Sequence, residues 1–235
     1  MKTVSYEKRF KIDLLWPIVI LIIPFAVHLI KVLNDYNLTQ FGIFPRHIKG
    51  LSGILFSPFI HGSWDHLLAN SFSFWILLFF LIHFYRKIAF KSVVYIFVIS
   101  QVLLWCFGRE YWHIGLSGVV YGIAFEVCLL GIFSKQINLS AVSLAVVFLY
   151  GSFIWGMTPI NPEISWEGHL FGATAGILMS IIYRRLYKKP KPVIEPSVDD
   201  EHYIKYSYKP PRETFFDKLM RLPDRFSKKN NEKSR

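Results

Sequence analysis

The chain has 235 residues, 53% of them hydrophobic, a mean hydropathy of +0.35 and a formal charge of +11. Apolar residues in this proportion, gathered into runs near bilayer-spanning length, exclude an ordinary water-soluble domain. The basic excess flanks the apolar runs and fills the tail, as suits the inner face of an anionic membrane, and no nucleic-acid motif accompanies it, so no nucleic-acid partner is expected.

A basic arm, residues 1–13, precedes the first apolar run. That run contains Pro24 and ends in bulky polar residues at 31–34 rather than at a cleavage site, so it reads as a retained helix. Six spans are predicted, at 14–33, 64–85, 90–108, 115–133, 139–157 and 166–187, giving an all-α, polytopic bundle over 14–189. Lys2, Lys8, Arg9 and Lys11 precede span one, Arg86, Lys87 and Lys91 follow span two, Lys135 follows span four, and Arg184, Arg185, Lys188 and Lys189 end span six. The opposite connections hold only Arg46, Lys49 and Arg109, so both termini are expected in the cytoplasm. The first outer loop, 34–63, is too long for a plain connector, and its apolar stretch 51–60 is too short to span; it is expected in the membrane interface. The tail 190–235 is rich in proline and charge and is expected to be largely disordered. Within it, 213–222 reads equally as unstructured chain or as a short helix on the inner leaflet. Cys106 and Cys128 lie in apolar runs, read as small fillers, and offer neither a disulfide framework nor metal-ligand spacing.

Polar residues inside a membrane are costly, which makes each a functional candidate. His66 and Asn70 begin span two, Ser117 begins span four and His169 begins span six; all three spans run inward, so the residues share one depth near the outer surface. His66 and Asn70 share a helical face, as do Ser117 and Tyr121, with Gly118 and Gly122 as a stripe beside them. His169, Gly172 and Gly176 share a face of span six, and small residues at that spacing let it press against span four. His169 is then the base for a Ser117 nucleophile. His66, Asn70 and the backbone N–H of Ser117 are available as donors to an oxyanion. Glu126 lies on the opposite face of span four and roughly 13 Å deeper, so the site reads as a dyad without a carboxylate. His61 and His113 are given supporting or substrate-access roles, and His28 and His83 structural ones.

The run from His61 through His66 to Asn70 resembles the rhomboid motif of two histidines and a following asparagine. Gly115-Leu116-Ser117-Gly118 resembles the family's active-serine segment, and His169 with Gly172 and Gly176 its sixth-helix histidine and glycines. The resemblance covers about residues 10–190 and implies a six-helix serine endopeptidase of a bacterial cell membrane. Such an enzyme cleaves transmembrane proteins near the outer face, without a metal or other cofactor. It also implies that Tyr121 packs on the ring of His169. The first loop departs from the family in lacking a Trp-Arg pair, with Pro45-Arg46 the nearest feature. Two other readings stand beside this one: an inactive relative, as derlins are, that binds membrane clients, and a transporter or metal-binding protein lined by histidines. The second lacks a His-Glu-x-x-His motif.

Overall fold

The computed structural model describes residues 5–161 and 163–188; the tail 190–235, with its segment 213–222, lies outside them. Ser5 opens the first helix by accepting the Lys8 N–H at 3.4 Å, and Glu7 pairs with Lys11 one turn on at 2.7 Å. Helix α1 therefore runs Tyr6–Leu33 and takes in most of the arm expected to precede it. Ser63 caps α2, Trp64–Phe84, by accepting the His66 N–H at 3.2 Å. A turn at Tyr85 leads into α3, Arg86–Phe107, which starts earlier than expected. Then come α4, Ser117–Ser134, α5, Ile137–Tyr150, and α6, Trp166–Tyr183. The chain is an all-α, polytopic membrane bundle. Among the described residues, extended pairing is confined to one antiparallel bridge between Ile43 and His113.

The first four of these helices are long and apolar enough to cross a bilayer. The fifth has 14 residues, about 21 Å of rise against a hydrocarbon core of about 30 Å. It stops at Tyr150, where Gly151 and Ser152 break the apolar run, and a separate turn, Phe153–Gly156, follows. The expected single span over 139–157 is thus two pieces. The sixth is diluted by Glu167 and His169 in its first turn.

Buried residues make up 67% of the apolar stretch of α4 but 28% of that of α1, so α4 is the central helix. Its most extensive packing is against α6. A Cβ at Gly172 or Gly176 would collide with the carbonyl oxygen of Gly118 or Gly122, so two turns of these helices meet backbone to backbone. Helix α1 packs on α2 and is fastened at both ends. Towards its N-terminal end, the buried Asp13 carboxylate meets Arg86 and the Nδ1 of His83 at 3.0 Å. At its C-terminal end, Lys31 reaches the loop before α2.

The loop between α1 and α2 folds as short turns, including Gly53–Phe56 and Ser57–Phe59 within the apolar stretch. Arg46 anchors it: its guanidinium donates to the Gly108 carbonyl at 2.5 Å and pairs with Glu110 at 3.6 Å, while its backbone N–H bonds Trp105 O at 2.9 Å. The Pro45-Arg46 position thus ties the loop to the connection between α3 and α4.

Candidate active site

The segment that leads into α4 is set by a glycine. Gly115 has φ +109°, a left-handed conformation that residues with a Cβ rarely adopt, and a Cβ there would lie 2.8 Å from the imidazole of His66. Its N–H bonds Ser57 O at 2.9 Å, and the next N–H, of Leu116, donates to Nε2 of His61 at 3.4 Å. The chain then enters α4 with Ser117 as its first residue, so the Ser117 backbone N–H lies outside the helical ladder at the positive end of the dipole.

His169 stands in the first turn of α6, buried, with its Nε2 2.8 Å from the hydroxyl of Ser117. Its Nδ1 lies 2.8 Å from the carbonyl oxygen of Gly156. A carbonyl only accepts, so Nδ1 carries the proton and the Nε2 lone pair faces the Ser117 O–H. The ring stacks on Tyr121, with centroids 4.2 Å apart and planes 6° from parallel; Tyr121 in turn stacks on Phe153 at 4.5 Å and 17°. The break after α5 therefore supplies both an aromatic layer and the acceptor that orients the imidazole.

Ser117, His169, Tyr121, His66 and Asn70 line one cavity of about 540 Å³. The amide nitrogen of Asn70 is buried there and, among the described residues, has no hydrogen-bond partner. Glu163 lines the same cavity, but His169 spends its Nδ1 on Gly156. Gly118, Gly122, Gly172 and Gly176 set the approach of the two helices that carry the pair. Glu126 is fully buried elsewhere, accepting from Ser92 at 2.6 Å.

Of the remaining histidines, His28 is buried edge-on against Trp64 at 4.5 Å. His61 packs against His66 with ring centroids 5.0 Å apart. Burial, with His66, His28 and Lys31 nearby, pushes its pKa down to about 3, so its ring stays neutral. His113, whose pKa burial also lowers, donates to Arg109 O at 3.1 Å and accepts from the hydroxyl of Ser165 at 2.7 Å. Ser165 O accepts the His169 N–H at 3.3 Å, so His113 braces the start of α6. Sequence reasoning missed Ser165, Phe153 and the Gly156 carbonyl. No signal marks a carbonyl, which every residue has. Among the described residues no group of three or more His, Cys, Asp or Glu is placed to hold a metal ion.

The model of the Rhomboid domain matches residues 49–186 of this chain. The chain is 29% identical over 167 residues to an uncharacterized protein of Mycobacterium tuberculosis strain H37Rv, covering 67% of this chain and 70% of that protein. With an uncharacterized protein of Mycobacterium leprae it is 29% identical over 184 residues, 74% and 73% of the two chains. With a rhomboid-like protein of Acanthamoeba polyphaga mimivirus it is 31% identical over 153 residues, 63% of this chain and 79% of that one.

Proposed function

The chain belongs to the rhomboid family, and from that premise we propose that it is an intramembrane serine endopeptidase with Ser117 as nucleophile and His169 as base. The observation that carries this reading is the 2.8 Å approach of Ser117 Oγ to a His169 Nε2 whose tautomer is fixed from the far side by Gly156. In the reaction, Ser117 Oγ attacks the scissile carbonyl while its proton passes to Nε2. The carbonyl oxygen becomes an oxyanion, which accepts from the Asn70 amide, the His66 ring and the Ser117 N–H. The tetrahedral species collapses, the C–N bond breaks, and His169 returns its proton to the leaving amine. Water, deprotonated by His169, then attacks the acyl ester and releases the second fragment. Tyr121 keeps the imidazole in its plane through both halves.

The substrates in this reading are transmembrane proteins, cut near the outer face, with both termini of the enzyme cytoplasmic. With that orientation the site lies in the first turns of inward-running helices, where water can reach it from outside. The test is cleavage of a generic transmembrane substrate in detergent, with fluorophosphonate labelling of the serine. Ser117→Ala and His169→Ala should each abolish both, and the double variant should lose little more than either single one. Undiminished cleavage by folded Ser117→Ala would sink the protease reading in favour of a client-binding relative.

A further inference from the structure

Helix α1 precedes the residues matched to the family, which begin at 49, yet its last turn touches the site. The ammonium of Lys31 donates to two consecutive carbonyl oxygens, of His61 at 3.0 Å and of Gly62 at 2.7 Å. A lysine near the end of a membrane helix ordinarily extends its amine to water. Here it turns instead to the strand of chain that leads into α2.

Two lines of hydrogen bonds diverge from that strand. One goes through the ring of His61, which accepts the Leu116 N–H, one residue before Ser117. The other goes through Ser63, which caps α2 and fixes the His66 N–H, with Asn70 one turn further on. The Lys31 ammonium therefore holds the point where the nucleophile segment and the oxyanion donors join. Gly62 and His66 themselves line the cavity. We propose that Lys31 is a positioning residue for the reaction: its charge and its two donated bonds lock the segment 61–63, and so the spacing between Ser117 and the oxyanion donors His66 and Asn70. This rests on the protease reading above. The ammonium also places a positive charge on the oxyanion side, so its contribution grows as negative charge develops in the transition state. Lys31 is not itself among the residues that line the cavity, so its loss should change KM little.

The experiment compares purified full-length wild type, Lys31→Met, Lys31→Arg and Asp13→Asn in detergent. Asp13→Asn weakens the opposite, N-terminal fastening of α1 and serves as the control for mere loosening of that helix. Lys31→Met should lower kcat by about ten- to a hundredfold, the scale of a sub-ångström misplacement, and leave KM within about twofold. Lys31→Arg, whose guanidinium can donate to both carbonyls, should restore most of kcat. Asp13→Asn should lower thermal stability and leave kcat near wild type. Fluorophosphonate labelling of Ser117 should slow in Lys31→Met in step with kcat. Full kcat in Lys31→Met, an arginine variant as slow as the methionine one, or an equal loss in Asp13→Asn would overturn the proposal. If Lys31→Met does not fold, Lys31→Gln, which keeps a donor without the charge, takes its place and should show the same kcat loss. A wild type that neither labels nor cleaves would instead overturn the protease reading itself.

Discussion

Among the described residues no protein acceptor meets the Asn70 amide nitrogen in the cavity, so it is free to donate to an oxyanion. Asn70→Ala should therefore lower kcat by about a hundred- to a thousandfold while KM and thermal stability stay close to wild type. Single-turnover kinetics on the folded variant check this, and unchanged turnover would remove Asn70 from the mechanism. Residues such as Asn70, His66, Ser117 and His169 were legible in the sequence because each interrupts an apolar run, where a polar side chain is unfavourable without a task. Lys31 was not, since a lysine closing a helix satisfies the dipole in any protein. Only the folded chain shows its amine donating to the carbonyls of His61 and Gly62.

At the scale of helices, the pairing of Gly172 with Gly118 and of Gly176 with Gly122 brings two backbones into contact. No side chain can yield there, so Gly176→Leu should force α4 and α6 apart, lowering thermal stability and activity together. Circular dichroism melting and substrate cleavage on the same sample test the coupling; an unshifted melt would separate Gly176 from the helix crossing. That crossing was readable from the i, i+3, i+7 spacing of His169, Gly172 and Gly176. The end of α5 was not readable, because Phe153, Ile154 and Trp155 are equally apolar as a lipid-facing turn or as another stretch of helix. Periodicity cannot tell a helix from the same residues folded back over Tyr121. The loop between α1 and α2 was similarly opaque: its apolar content suggested an interfacial location, while its fastening by the Arg46 guanidinium depends on a carbonyl 62 residues away.

For the whole molecule, the asymmetry of lysine and arginine between connections predicts cytoplasmic termini and an external 34–63 loop. A phosphatase reporter that is active only outside the cytoplasm should stay silent when fused after Arg235 and become active when fused within the first loop. The reverse pattern would invert the bundle and move the Ser117 site to the inner leaflet. The six-helix plan was legible because lipid leaves the chain few alternatives. The arrangement around the site was less so, because it is built partly from peptide groups. His169 leans on the carbonyl of Gly156 where a carboxylate could have stood. No single codon change deletes a peptide carbonyl, but a Cβ at Gly156 would strike the Tyr121 hydroxyl, so a missense change there would move the acceptor instead of erasing it. The partner is inherited with the bend of the chain at 151–156 and with the one glycine that leaves the aromatic stack its room.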